Sequence, residues 1–485
     1  MGKPTIQGPP GTRDMYPRDL LRRRYIEKLW RDTSVRHGFD EIDGPTFEHS
    51  DLYAVKSGEG ILGELFQAFS GKSPEEVKQV QESGRAPYAL RPEFTPTLAR
   101  MYAAREAQLP KPCKWFWQQN CYRAERPQRG RLREFGQWNI DMMSDGSPDS
   151  DAEVIGAAVE MLSAAGLTPS DVRVGYSHRR VLGDVVRALG VDDDHVAPAF
   201  VLLDRRDRLS NDDLEAMAFE FGVTSGDFVA FLRRPRQQES FEELVRWVPN
   251  LSGQAASGLA LVLEGYKSAF DRAGIQAWCR LDLGIVRGLA YYTGLVFEVV
   301  ADGERAVAGG GRYDRLIELF GGAPTPAVGF GMGDVVLSLL LEDKGLMPDG
   351  RDLLVALEST PASMRPDVFV FANEDEAARE RVVGLVASLR RGVESPAWRD
   401  RATKKPWDHD RYEVTPMHAR RSYKSTGNIG KLLKEAAGSF ARFAVIVESA
   451  GMATIKNMDS GEQEREVPLD QVARRLSVLT RSLSR

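Results

Sequence analysis

The chain has 485 residues, 42% of them hydrophobic and 28% charged, with a formal net charge of -5. That balance suits a soluble protein of about two to four domains, and excludes a nucleic-acid coat held by bulk positive charge, so any nucleic-acid contact must use local basic patches. Cys113, Cys121 and Cys279 are scattered without metal-ligand spacing, the opening MGKPTIQGPPGTRDMYP has no apolar leader, and no apolar run approaches the length of a membrane span, which excludes a structural zinc site and points to a cytoplasmic, membrane-free chain with no metal centre of its own.

In chain order, PRDLLRRRYIEKLWRDTSVRH (17–37) places Leu20, Leu21, Tyr25, Ile26, Leu29 and Trp30 at helical spacing behind a proline start, predicting an amphipathic helix. A strand-like EIDGPTFEHSDLY follows, then a charged surface excursion over 70–85. YALRPEFTPTLARMYAAR reads as a strand entering a helix. KWFWQQNCYR (114–123) and LREFGQWNIDMM (132–143) read as the two strands of a long antiparallel hairpin. A helix over 151–166 leads to the strand DVRVGYSH, and 180–275 reads as an inserted helical subdomain. Strands resume over 281–301, followed by a glycine-rich turn, AGGGRYDRL (308–316), and the apolar AVGFGMGDVVLSLLLE. Beyond a Pro- and Gly-punctuated break, alternating strands and helices predict a small mixed or parallel sheet. The expected domains are 1–179 and 276–345, forming one core, 180–275 as the insertion, and 365–485 as a C-terminal α/β domain. The basic segment 393–424, with Trp398 and Trp407, reads as a surface loop.

The tip of the hairpin, YRAERPQRGRLREF (122–135), holds five arginines in fourteen residues. Side chains on a strand alternate faces. Arg133, Phe135, Gln137, Asn139 and Asp141 therefore share one face of the return strand, and Arg123 and Glu125 share one face of the outgoing chain. Such a face suits a ligand with a phosphate, a flat ring and a cationic end; the alternative is a solvated hairpin whose charges pair across the strands. In LRPEFTPTLAR, Arg91, Glu93, Thr95 and Thr97 lie at a strand-to-helix junction. Glu93 and Thr95 suit an ammonium group, or Thr95 or Thr97 caps the helix with Pro96 in its first turn. IVRGLAYYTGLVFEV sets Arg287, Gly288, Tyr291 and Tyr292 beside an apolar strand, in a structural or a ligand-binding role. Gly309, Gly310 and Gly311 let the backbone approach a ligand or a neighbouring strand. They match neither a phosphate-binding P-loop nor a G-x-G-x-x-G fingerprint, so Walker and Rossmann sites are excluded.

YRAERPQRGRLREF with its following strand resembles motif 2 of class II aminoacyl-tRNA synthetases, in the form found in histidyl-tRNA synthetases. GPPGTRDMYP resembles that family's N-terminal opening, GFDEIDGPTFEHSDLY its motif 1, LRPEFT its amino-acid-binding turn and VRGLAYYTGLVFEV its histidine motif. AGGGRYDRLIELFGG and AVGFGMG resemble the approach to motif 3, and ARFAVIVES with KNMDSGEQEREVPLDQV the anticodon-binding domain. The resemblance implies an α+β fold: a class II antiparallel sheet flanked by helices, a helical insertion, and a C-terminal α/β anticodon-binding-like domain. It further implies a homodimer built on motif 1, with histidine, ATP, Mg2+ and tRNA(His) as substrates and partners.

By the same resemblance Arg123 and Arg287 are the catalytic arginines. Arg123, Glu125, Arg131 and Phe135 bind ATP, with adenine stacked on Phe135. Glu93, Thr95, Gln137, Asp141, Arg287, Tyr291 and Tyr292 hold histidine, and Arg126, Gln128 and Arg129 at the tip contact tRNA. The sequence departs from the family pattern at Asp141 (usually glutamate), at Ala290 (usually aspartate) and at Val336, where motif 3 usually has an arginine that clamps the γ-phosphate; Arg312 or Arg133 is the expected substitute. Two other readings remain: the histidine-binding, non-catalytic regulatory subunit of ATP phosphoribosyltransferase, which Val336 favours, and a class II synthetase for threonine, proline or glycine, against which VRGLAYY argues.

Overall fold

The first long helix, α1 (Pro17–Arg36), starts on a proline, carries Asp19 in its first turn and Arg36 in its last, and ends where Gly38 turns the chain at φ +73°. Its buried face sets Trp30 parallel to Trp138, with ring centroids 6.1 Å apart, while Trp138 Nε1 donates to Ser34 Oγ at 2.9 Å. The computed structural model describes residues 7–57, 63–206, 209–233, 248, 253–286, 291–301, 305–359 and 361–482.

Among these residues the main sheet comprises β1 (Asp40–Glu41), β2 (Cys113–Tyr122), β3 (Glu134–Met143), β4 (Val172–His178), β5 (Cys279–Leu281), β6 (Leu295–Ala301), β7 (Ala308–Arg312) and β8 (Ala327–Gly333). Their order is β1-β2-β3-β8-β7-β6-β4-β5, antiparallel throughout except that β1 and β5 run parallel to their single neighbours. The predicted hairpin is present: β2 and β3 pair without a register shift from Cys113↔Met143 to Tyr122↔Glu134. On β3 the apolar Trp138, Ile140 and Met142 face a core completed by α1 and by α2 (Pro148–Ala164). The intervening odd-numbered residues face the other way.

AGGGRYDRL is not a turn: residues 308–312 form β7, inside the sheet. The glycines serve close strand approach, since a β-carbon on Gly310 would lie 2.1 Å from Gly329 O. Between β4 and β5 the described chain is helical (Arg179–Ala188, Val196–Arg205, Asn211–Glu220, Gly226–Leu232 and Gly253–Ala273), with its own apolar cluster around Leu182, Leu203 and Phe228.

The C-terminal segment builds a mixed sheet from β9 (Val368–Ala372), β10 (Ala419–Arg421), β11 (Phe443–Val447), β12 (Met452–Asn457) and β13 (Gln463–Pro468), in the order β10-β9-β11-β12-β13. The first three strands are parallel and the last two antiparallel. Segment 393–424 is a surface loop only in part, over the exposed residues 399–405. Trp398 is 7% exposed and lies under the Arg411 guanidinium, which also donates to Ala164 O at 3.0 Å and Ser163 O at 3.1 Å at the end of α2. Arg411 thus satisfies helix-terminal carbonyls instead of facing solvent, whereas Arg399 and Arg401 are exposed.

The joint between the two sheets centres on Glu153 of α2. Its carboxylate meets Lys114 of β2 at 2.5 Å, Arg390 of the helix Glu376–Arg391 at 3.0 Å, Arg421 of β10 at 3.3 Å and the Tyr423 hydroxyl at 2.7 Å. Burial alone would raise the Glu153 pKa; Lys114, Arg390 and Arg421 more than offset it and hold the carboxyl well below its usual range. Replacing this carboxylate strands three cations out of water. Glu153→Gln should therefore lower the unfolding free energy by about 3–5 kcal/mol; urea titration of the purified variant measures it, and a loss within about 1 kcal/mol would remove Glu153 from this role.

Candidate active site

Phe135, Gln137, Asn139 and Asp141 of β3 open together into a cleft of about 980 Å3. The floor beside them has no side chains. Gly329, Gly331 and Gly333 of β8 stand opposite Asp141, Asn139 and Gln137, and Gly311 and Gly309 of β7 continue the rows. A β-carbon on Gly329 would lie 2.0 Å from Asp141 Oδ1, and one on Gly331 2.7 Å from Gln137 Nε2. Glycine is required there by the polar side chains leaning across from β3.

One end of the cleft is acidic and aromatic. Tyr313, the first residue after β7, donates its hydroxyl to Asp141 Oδ1. Burial, with Asp141 adding to it, raises the Tyr313 pKa far above its usual range, so the phenol remains a donor. Gln137 Nε2 donates to Asn139 Oδ1 at 2.7 Å. Tyr291 and Tyr292 line this end with ring centroids 4.5 Å apart. Glu93 and Thr95 line the cleft from the start of the helix Thr95–Arg105. That helix has Phe94 at its N-cap and no side-chain cap, and Thr97 Oγ1 reaches Glu48 Oε2 at 3.4 Å, so neither threonine caps it. Arg91 is structural, donating to Asn120 O at 2.9 Å and Gly44 O at 3.0 Å beneath Trp117.

The other end carries the arginines. Arg123 Nε donates to Pro92 O at 3.1 Å and its guanidinium lies 4.9 Å from the centre of the Phe135 ring. Arg131 is paired with Glu125, and both line the cleft. Arg133 donates to Glu125 O at 3.1 Å. The tip closes through a Gln128–Arg131 bridge, with Gly130 at φ +74° supplying the left-handed turn. Arg126, Gln128 and Arg129 are exposed and outside the cleft lining, and Arg129 meets Asp343 at 2.9 Å. The N-terminal segment clasps this end: Gly11 O accepts from Arg133 N at 2.8 Å, and Arg13 pairs at 2.6 Å with Asp334, which also accepts from Gly136 N at 2.9 Å.

Arg312 is not part of the cleft. It lies on the helix-facing side of β7, 4% exposed, donating to Asp151 Oδ1 at 2.7 Å and Ser150 Oγ at 2.8 Å of α2 and to Asp145 O at 3.0 Å. Alternation from Gly309 and Gly311 turns it away from the site, so it is withdrawn as an ATP ligand. Arg287, Gly288 and Ala290 lie outside the described residues.

The family described as "Histidyl-tRNA synthetase" matches this chain over residues 11–334. The chain belongs to the histidyl-tRNA synthetase family. Among curated relatives, a histidine–tRNA ligase of Opitutus terrae is 39% identical over 349 residues, covering 71% of this chain and 76% of the relative. One of Thermococcus kodakarensis is 31% identical over 481 residues, covering 96% of this chain and 98% of the relative. The crystal structure of histidyl-tRNA synthetase from Nostoc sp. PCC 7120 shares the fold with a TM-score of 0.58 at 20% identity, over 98% of this chain and all of that one.

Within this member of the histidyl-tRNA synthetase family, sequence reasoning missed Tyr313, Glu298 of β6, Arg305 and Asp334. Glu298 was legible in principle: it pairs in register with Gly309, which puts it on the cleft face. Tyr313 and Arg305 lie beyond the two ends of β7; counting by twos from Gly309 and Gly311 puts both on the cleft face, a signal lost while the glycine run read as a turn.

Proposed function

We propose that this chain is a histidine–tRNA ligase that activates histidine with ATP and passes the histidyl group to the 3′ end of tRNA(His). The observation that carries the reading is the make-up of one cleft, which Glu93, Thr95, Asp141, Tyr291 and Tyr292 line together with Arg123, Arg131 and the Phe135 ring. A histidine ammonium and imidazole fit Glu93, Thr95, Gln137, Asp141, Tyr291 and Tyr292. Adenine fits the Phe135 face now covered by Arg123, with Glu125 and Arg131 beside it. The regulatory-subunit alternative is disfavoured because relatives named as ligases match through the C-terminal domain, nearly end to end.

In the first step a histidine carboxylate oxygen attacks the α-phosphorus, the bond from that phosphorus to the bridging oxygen breaks, and pyrophosphate leaves. Arg123 screens the two anions as they meet and stabilises charge on the transferring group; Arg287 is proposed for the carboxylate side. In the second step a ribose hydroxyl of the tRNA end attacks the histidyl carbonyl, AMP leaves with the electron pair, and the hydroxyl proton passes to the phosphate of the departing AMP. Mg2+ would arrive on the triphosphate, and Glu298, a carboxylate in the cleft lining, would help to hold it. When bound, Mg2+ draws charge off the departing pyrophosphate.

Arg126, Gln128 and Arg129 are proposed to meet tRNA phosphates. Exposed Phe47 and Val55 beside the motif-1-like segment support a homodimer. Among the described residues no helix is long and apolar enough to cross a membrane, and three buried free cysteines suit the reducing cytoplasm.

Histidine-dependent ATP–pyrophosphate exchange tests the reading: exchange is expected with histidine and with none of the other standard amino acids, and silence with histidine would sink it. Arg123→Ala should cut exchange by about a hundredfold or more, whereas Arg129→Ala should spare exchange and weaken tRNA charging severalfold; equal losses in both assays would overturn the division between root and tip. Gly331→Ala should raise the histidine KM by about tenfold, because its β-carbon would stand 2.7 Å from Nε2 of the buried Gln137 side chain, which must shift; an unchanged KM would show that the Gln137 amide does not touch histidine.

A further inference from the structure

Carboxylates offset the arginines of the cleft: Glu64, Glu125, Asp204 and Glu298 all line it, and Arg131 is already paired with Glu125. Neither expected substitute at Val336 supplies more positive charge: Arg312 is buried against Asp151, and Arg133 donates to the Glu125 and Pro10 carbonyls. Another cation stands at that place. Arg305, just before β7, is exposed and lines the cleft. Its Cδ and the Val336 Cγ2 each lie 3.3 Å from where a β-carbon on Gly130 would stand. The Arg305 stem therefore lies over the hairpin-tip turn, against the same point as the Val336 side chain.

We propose that Arg305 is the residue that grips the terminal phosphates of ATP in this active site, resting on the ligase reading above. With the α-phosphate at Arg123, a triphosphate running toward the Gly130 tip brings its β- and γ-phosphates under Arg305. A guanidinium there makes bidentate contacts that a point charge cannot. Val336 belongs to the same arrangement. It is small and apolar, and leaves the space through which the Arg305 stem passes; two arginines would crowd like charges into one place. The cation thus comes from the strand side of the cleft instead of from the helix Asp334–Asp343.

Calorimetry of Mg2+-ATP and of AMP with the wild type, Arg305→Ala, Arg305→Lys and the double variant Arg305→Ala/Val336→Arg tests this, alongside histidine-dependent exchange. Arg305→Ala should weaken ATP by about tenfold or more and leave AMP within about twofold; Arg305→Lys should fall between, and Val336→Arg in the Arg305→Ala background should recover most of the loss. Equal weakening of ATP and AMP, or no weakening of either, overturns the proposal, as does a wild type that fails to prefer ATP over AMP. If the wild type prefers ATP in an Arg305-dependent way yet shows no histidine-dependent exchange, the phosphate assignment stands and the ligase reading fails.

Discussion

The site exists because two neighbouring central strands place no side chain where a third places its functional ones. Gly329, Gly331 and Gly333 lie directly across from Asp141, Asn139 and Gln137, and β7 extends the bare surface with Gly309 and Gly311. On the opposite face the same strands carry Val328, Phe330, Met332 and Ala308, which close the core against the helices. One alternating pattern, glycine with apolar, therefore makes both a floor and a core. It also explains why the acidic end can be so polar. Its groups pair with one another, Gln137 with Asn139 and Asp141 with Tyr313, instead of competing with packing.

Helix α2 turns that floor into a fixed geometry. Asp151 and Glu153, two residues apart on it, reach different parts of the molecule. Asp151 holds Arg312 at the end of β7, and the next residue is Tyr313, whose hydroxyl must meet Asp141. Burial disfavours charge on Arg312, but Asp151 more than offsets this and keeps the guanidinium ionised. Tyr266 completes the cluster, donating to Asp151 at 2.9 Å. Glu153 ties β2 to the C-terminal sheet through Lys114, Arg390 and Arg421. Such buried pairs contribute little net stability over apolar packing, yet cost much when half is removed. Their effect here is placement: strand ends and hairpin sides are held where the cleft needs them. Arg312 thus serves the site by positioning Tyr313, without touching a ligand.

What the sequence made legible followed from periodicity. The period-two alternation of LREFGQWNIDMM put Phe135, Gln137, Asn139 and Asp141 on one face, but Arg133, grouped with them, precedes the strand and is outside the cleft lining; the proline-led helix over 17–37 ends within one residue of its expected boundary. What it hid followed from composition. Glycine is depleted in strands, so three in a row read as a turn, although their meaning lies in neighbours that only the sheet order reveals. Arginine beside that row read as a phosphate ligand, although counting by twos from Gly309 and Gly311 reaches Tyr313 and leaves Arg312 on the other face. The basic residues of 393–424 read as solvated, which holds for Arg399, Arg401, Lys404 and Lys405 but not for Arg411, since no sequence signal says that it will find the carbonyl end of α2.

The hairpin also separates two kinds of contact along its length. At its root, Arg123 and Phe135 are half-buried and held by Pro92 and by each other, a rigidity suited to a small molecule that must react. At its tip, Arg126, Gln128 and Arg129 are exposed, and the Arg129–Asp343 pair has more than half of each side chain in solvent. An exposed pair of that kind contributes at most about 1 kcal/mol and is weakened by salt. It can therefore be exchanged for a phosphate at little cost. The Gln128–Arg131 bridge beneath it keeps the turn closed while this happens. Loosening at the tip need not travel to the root, because Glu125, whose side chain holds Arg131 and whose carbonyl holds Arg133, lies between them. The same fourteen residues can thus hold a nucleotide rigidly at one end and offer adaptable charge to a macromolecule at the other.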